Sequence, residues 1–256
     1  MNRLESIIPT PRPSAGPLES TSDPLTVGLG DRCMILLEAV VAAVIMLLAA
    51  PVLLLIMGLV KTTSRGPMIY SQVRVGLDGR LFRIYKVRTM RHDCERTSGP
   101  KWSTGRDSRV TPVGRFLRLS HLDEIPQLWN VMRGDMGLVG PRPERPEFVS
   151  QLEKAIPRYR ERLAVRPGIT GLAQVQLPPD TDVDSVRRKL ACDLAYIEQA
   201  NIWLDGRILL ATILLLMNVK ASTTRRILAL PARPRALESN LGSTVETSHG
   251  PRLLAS

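Results

Sequence analysis

From Met34 to Val60 the chain is apolar apart from Glu38. A helix over those 27 residues would reach about 40 Å, more than the ~30 Å hydrocarbon core of a bilayer, so the run belongs in a membrane. It starts only after Arg32 and is too long for the apolar part of a secretory signal. Pro51 lies inside the run and removes a helical N–H, which breaks or kinks a helix. Two readings stand on the residues alone: an ordinary span that contains a proline, and two half-helices packed closely at Ala49 and Ala50. Lys61 and Arg65 follow, then Gly66-Pro67 as a turn, with cations where anionic headgroups would lie.

Beyond that turn the pattern changes to strand. Met68 to Val75 and Leu81 to Thr89 flank Asp78-Gly79, a strong hairpin signal, and Arg74, Lys86 and Arg88 decorate the two strands. Arg91 to Arg109 is polar, has no periodicity and contains Ser98-Gly99-Pro100, which predicts a mobile loop. Helical spacing returns with Phe148, Leu152, Ile156 and Leu163, and Pro157 divides that segment in two. Arg166 to Gly171 is a tight loop whose glycines allow the backbone close to a ligand, and Val183 to Ala200 is again helical. Ile202 to Val219 is almost wholly apolar around Asp205 and Arg207; those internal charges favour a helix lying at a membrane interface over one that spans it. Residues 1–30 and the chain from Ser222 onward are rich in Pro, Ser and Gly without apolar periodicity, and read as disordered tails.

The stretch with the most chemistry is Thr111 to Pro143. Thr111-Pro112 is a helix start, and Arg115 and Arg118 lie three residues apart on the segment it opens. Asp123 and Glu124 are adjacent, and Pro126 places a second helix start near Asp123, which would then be the N-cap. The positive end of a helix dipole keeps such acids ionised and draws phosphate to the same place. Gly134, Gly137, Gly140, Pro141 and Pro143 form a loop able to bring Arg133 and Arg142 back to the acids. An Asp-Glu pair is also a common cap with a solvated partner; the arginines around this one add the case for phosphate chemistry.

Charge and composition narrow the field. A net charge of +11 suits an anionic partner, while 4% aromatic content offers few stacking platforms for single-stranded nucleic acid. Cys33, Cys94 and Cys192 have no C-x-x-C spacing, as in a reduced, cytosol-facing protein, and with three scattered histidines they do not compose a zinc site. No glycine-rich dinucleotide or P-loop fingerprint is present. Adjacent carboxylates cannot straddle a sugar, which disfavours glycoside hydrolysis.

Several segments together resemble the bacterial sugar transferases, the monotopic polyprenyl-phosphate phosphoglycosyl transferases. They are Gln72-Val73-Arg74-Val75-Gly76, Tyr85-Lys86-Val87-Arg88-Thr89-Met90, Leu122-Asp123-Glu124-Ile125-Pro126-Gln127-Leu128, Gly134-Asp135-Met136, Val139-Gly140-Pro141-Arg142-Pro143 and Arg166-Pro167-Gly168-Ile169-Thr170-Gly171. The likeness runs in the family's order over about residues 33–220. It departs at Glu38, where an Asp is usual, and at Met34-Ile35, which replace a basic pair.

The resemblance implies an enzyme that moves a sugar-1-phosphate from a nucleotide diphosphate sugar, such as a UDP-sugar, to polyprenyl (undecaprenyl) phosphate, the first membrane step in building a polysaccharide or glycan lipid. By resemblance Asp123 is the nucleophile that forms an aspartyl phosphosugar, and Glu124 together with Asp123 holds Mg²⁺ or Mn²⁺. Arg118 would bind a phosphate and Arg142 the nucleotide end, with Lys86, Arg88, Gln72, Arg74 and Arg166 as further substrate contacts and Asp193 and Tyr196 near the site. The fold implied is α/β and helix-rich: residues 1–30 a tail, 31–65 a re-entrant membrane helix hairpin, 66–220 the catalytic domain with a short β-hairpin and interfacial amphipathic helices, and 221–256 a tail. Its place would be the bacterial inner membrane, with the catalytic domain facing the cytoplasm, lipid as a partner, nucleic acid excluded and a homo-oligomer left open. The rival reading is a non-catalytic basic membrane protein that binds anionic lipid or protein partners.

Overall fold

A computed structural model describes residues 29–92, 94 and 107–232. All but Leu29 and Gly30 of the expected N-terminal tail, most of the loop after Arg91 and most of the C-terminal tail lie outside these residues. Helix α1 spans Leu29–Thr63, with Pro51 inside it and no interruption in its helical course. Ser64 to Pro67 then turn the chain into β1 (Ile69–Val75), which pairs antiparallel with β2 (Leu81–Val87) in the register Gln72↔Ile84. The turn between them holds Asp78 at φ 54° and Gly79 at φ 80°, the left-handed geometry that Asp-Gly supplies. Helix α2 (Pro112–Leu119) begins as its sequence predicts, with the Thr111 hydroxyl accepting from the Gly114 N–H and Pro112 in the first turn.

The acidic pair does not open an α-helix. His121 sits at φ 55°, and Leu122–Gln127 winds as a 3₁₀ helix before α3 (Leu128–Met132). Asp123 therefore lies inside the first turn and is not the N-cap. Starting at Leu122 puts Pro126 beyond the positions where a proline is harmless; α-winding would drive its ring into the Leu122 carbonyl, and the tighter 3₁₀ path avoids that clash.

After α3 the chain makes β3 (Gly137–Val139), α4 (Pro146–Ala155), a 3₁₀ turn at Tyr159–Ala164 and β4 (Gly168–Thr170). Pro157 separates the two helical pieces as predicted. Strands β3 and β4 pair in parallel, Val139 opposite Thr170, a contact that hairpin signals do not reveal. Their junction has no room for side chains: a Cβ on Gly140 would lie 2.4 Å from the Arg166 carbonyl oxygen, and one on Gly168 would lie 2.1 Å from the Gly140 nitrogen. Helices α5 (Leu172–Gln176), α6 (Val183–Gln199), α7 (Ile202–Leu216) and α8 (Ala221–Ile227) complete the described chain. Helix α8 corrects the boundary of the expected C-terminal tail: Thr224 and Leu230 are buried, and the Gln176 side chain donates to the Pro231 carbonyl.

One hydrophobic cluster joins Ala42 of α1 to Ile84, Val131, Met136, Leu172 and Ile208. A second, under α4 and α6, gathers Phe148, Leu152, Ile156 and Leu190. A third packs Ile56 and Val60 of α1 on Val87 and Leu117. Both halves of α1 thus rest on the same domain, while Leu47, Leu48, Val52, Leu54 and Leu55 around Pro51 stay exposed. Only 11% of the apolar window of α1 is buried, and the helix is long and apolar enough to cross a membrane. Phe116 and Leu119 of α2 and Trp203, Ile213 and Leu216 of α7 add further exposed apolar surface.

Candidate active site

Two cations from separate elements converge on Glu124. From β2, Lys86 Nζ donates to Glu124 Oε1 at 2.7 Å, and from the loop after β3, Arg142 Nη2 donates to the same oxygen at 2.7 Å. Asn130 of α3 makes this convergence firm. It is fully buried, its amide donates to the Arg83 carbonyl at 2.7 Å, and its Oδ1 accepts from the Tyr85 N–H at 3.3 Å. A side chain thereby takes the place of a neighbouring strand along β2 and fixes the level of Lys86 against the acids. Sequence reasoning missed Asn130, because an Asn in an apolar helical pattern gives no sign of where its amide will dock.

The two carboxylates are held in unlike states. Glu124 is partly buried, but Arg142 and Lys86 outweigh its desolvation and hold its carboxyl well below the usual range. Asp123 is 7% exposed; burial pushes its pKa up, Lys86 lowers it, and the Glu124 charge raises it again. Arg118 on α2 also acts on Asp123, from a position where its Nε donates to the Thr89 hydroxyl. Among the described residues the Asp123 carboxylate and Glu124 Oε2 take no protein hydrogen bond. Lys86, Arg118 and Arg142 all act on Asp123, and Lys86 and Arg142 also act on Glu124.

Other predicted residues sit elsewhere. Arg74 donates to the Pro143 carbonyl and to Gln72 Oε1 and pairs with Glu144 at 3.7 Å, so both β1 residues brace the loop bearing Arg142. Arg88 is buried and donates to the Ser64 carbonyl and hydroxyl, just past the end of α1. Arg166 pairs with Glu38 of α1 and donates to the Met136 carbonyl, while Arg133 turns to Asp135 at 3.3 Å. Asp193 pairs with Arg162 at 2.8 Å, and the Tyr196 hydroxyl donates to Asp205 at 2.9 Å.

No group of three or more His, Cys, Asp or Glu side chains able to hold a metal exists among the described residues. The oxygens that remain, on Asp123 and Glu124 Oε2, are hard donors from two carboxylates. That set suits Mg²⁺ or Mn²⁺ completed by water and substrate phosphate, and does not suit Zn²⁺.

The bacterial sugar transferase family model matches residues 31–219, which include the membrane helix, the acids and every arginine placed above. This chain belongs to the bacterial sugar transferase family. It is 43% identical over 182 residues to a UDP-N-acetylgalactosamine-undecaprenyl-phosphate N-acetylgalactosaminephosphotransferase of Aeromonas hydrophila, covering 71% of this chain and 42% of that protein. UDP-glucose:undecaprenyl-phosphate glucose-1-phosphate transferases are similar as well. The one from Caulobacter vibrioides is 45% identical over 181 residues, 69% of this chain and 67% of the relative, and the one from Klebsiella pneumoniae is 42% identical over 178 residues, 69% and 38%. The chain thus spans about two fifths of the length of two of these three relatives. Family members at similar identity carry the names of different sugars.

Proposed function

We propose that this protein transfers a sugar-1-phosphate from a nucleotide diphosphate sugar, of which a UDP-sugar fits the relatives' names, to undecaprenyl or another polyprenyl phosphate, as the first membrane step of exopolysaccharide, capsule, O-antigen or glycan assembly. The observation that carries it is the division of labour in the acidic pair: Glu124 is clamped by two cations through one oxygen, and the Asp123 carboxylate beside it takes no hydrogen bond from the described residues. A carboxylate destabilised by burial and left unpaired is suited to attack. An Asp123 oxygen forms a bond to the phosphorus that bears the sugar, the bond from that phosphorus to the bridging oxygen breaks, and nucleoside monophosphate leaves with that oxygen. An oxygen of the polyprenyl phosphate then attacks the same phosphorus and frees Asp123. Lys86, Arg118 and Arg142 offset the charge of the diphosphate as the anions approach. Bound Mg²⁺ or Mn²⁺, held by Glu124 and Asp123, would supply further charge neutralisation at the phosphate oxygens.

The packing of α1 supports a re-entrant course. Glu38 and Ala42 on one side of Pro51, and Ile56 and Val60 on the other, all meet the same charged domain, so both ends of the helix belong on one side of the membrane, which we read as the cytoplasmic face of the inner membrane. The exposed leucines around Pro51 would then enter the lipid, and the apolar faces of α2 and α7 would rest at the interface.

Purified protein in nanodiscs, supplied with polyprenyl phosphate and a panel of UDP-sugars, should release UMP with one or a few donors and form the lipid-linked diphosphosugar. No release with any donor would favour the non-catalytic, lipid-binding reading. For topology, a single cysteine at Ser22 in a cysteine-free background should resist an impermeant thiol reagent in intact cells and become labelled in Pro51→Leu. Labelling of the parent would mean an ordinary span.

A further inference from the structure

The segment Gly140 to Glu144 has no regular secondary structure, yet each of its residues is tied through the backbone. Gly140 N–H donates to the Thr170 carbonyl at 2.9 Å, and the carbonyls of Pro141 and Glu144 accept from the N–H groups of Gly168 at 3.0 Å and Val75 at 2.9 Å. The Pro143 carbonyl accepts from Arg74 at 3.1 Å. The Arg142 carbonyl accepts from Arg162 Nη2 at 3.0 Å.

Arg162 is itself buried, and its other donors are taken: Nε and Nη2 meet Asp193 Oδ2 at 3.1 and 2.8 Å, and Nη1 meets the Tyr159 hydroxyl at 2.8 Å. The guanidinium thus joins α6, the 3₁₀ turn and the loop that carries Arg142. A buried ion pair is a poor source of net stability, since apolar residues of similar size fill such a place equally well or better. What apolar residues cannot do is donate to the Arg142 carbonyl. From this we propose that Arg162, oriented by Asp193 and Tyr159, is a positioning residue that fixes the Arg142 backbone and thereby aims its guanidinium at Glu124. The catalytic consequence rests on the proposed transferase reading; the geometric one does not.

The decisive variant replaces both members of the pair, Arg162→Met with Asp193→Leu, which leaves no stranded charge. Its melting temperature should stay within about 5 °C of the parent. Its kcat/KM for the donor should nevertheless fall about 10- to 100-fold, because a loosened Arg142 no longer meets the diphosphate in one geometry. Arg162→Lys, which keeps the charge and one donor, should recover part of that loss. In an Arg142→Ala background the same double replacement should cost less than about threefold, since its target is already gone. An equal fold-loss in both backgrounds, or activity restored along with stability, would show a merely structural pair and overturn the proposal. A structure of the double variant in nanodiscs is the activity-free arm: Arg142 should leave hydrogen-bond distance of Glu124, and an unchanged contact sinks the inference. Should the parent turn over no donor at all, the functional reading fails while this arm still decides the positioning role.

Discussion

Glu124 and Glu38 are both partly buried carboxylates that close contacts between distant parts of the chain, but different kinds of partner satisfy them. Lys86 and Arg142 share one oxygen of Glu124, and Arg118 stands near enough to act on Asp123. Among the described residues Arg166 acts on both Glu38 and Asp205, and neutral donors add to it: Leu138 N–H to Glu38 at 3.1 Å and the Tyr196 hydroxyl to Asp205 at 2.9 Å. On the proposed reading the first arrangement meets an anionic substrate. The second closes on itself and fastens α1 to the strand that leads to Arg142.

The comparison breaks most sharply at Asp123. Asp123→Asn should lower turnover by at least about 10³-fold, because the nucleophilic oxygen is lost while shape and membrane association remain. Substantial activity in that variant, or a trapped phosphosugar on another residue, would sink the assignment. In the parent, activity should fall on acidification at a pH above that of an ordinary aspartate, since burial raises the Asp123 pKa and protonation removes the nucleophile. Chelation is the companion test. EDTA should abolish turnover, Mg²⁺ or Mn²⁺ should restore it, and full activity in chelator would rule out the hard-oxygen metal site. Lys86→Met comes next. It removes one of the two cations on Glu124 and should reduce kcat/KM by about 10- to 100-fold, whereas an unchanged value would place Lys86 in a structural role.

Much of the first region is legible in the sequence and little of the second. Thr111-Pro112, Asp78-Gly79, Pro157 and the periodicity of Val183 to Ala200 act within one or two turns of chain, and the structure follows each of them. The acids and Arg142 also stand out, because chemistry marks them and glycines and prolines surround them. What local signals miss is partner choice across long separations. Arg74, Arg88 and Arg166 look alike in sequence, and only the tertiary fold sends them to the Pro143 carbonyl, to Ser64 and to Glu38. The β3–β4 pairing is hidden for the same reason, since three-residue strands give no alternation to read. The placement of Asp123 inside a 3₁₀ turn depended on a two-residue shift in where the helix starts, from an N-cap at Asp123 to one at His121, which propensity does not resolve.

In the second region Glu38→Gln should leave Arg166 without its charge partner and destabilise the fold by about 1–3 kcal/mol, with only a few-fold loss of activity. A loss of activity as large as that of Lys86→Met would show that the cluster serves the reaction directly.

Asp205→Asn should have the smallest effect and is the most informative about the sign of the charge. Burial raises the Asp205 pKa, the Tyr196 hydroxyl lowers it, and the nearby Glu38 raises it again. With its folded pKa above the unfolded value, the ionised form costs stability at neutral pH, and that cost disappears as pH falls below the ordinary aspartate range. An Asn amide oxygen still accepts from Tyr196 and carries no charge. The variant should therefore be as stable as the parent or slightly more so at pH 7 to 8, by up to about 1 kcal/mol, with activity within about twofold. The gap should close as both proteins are titrated toward pH 4, where the parent carboxyl is itself protonated. Thermal melts of the two proteins in detergent across that range measure the difference. A variant less stable than the parent at neutral pH would mean that the attraction of Arg166 outweighs burial and the Glu38 charge at Asp205, and the account of an acid-rich junction at α1 would fall with it.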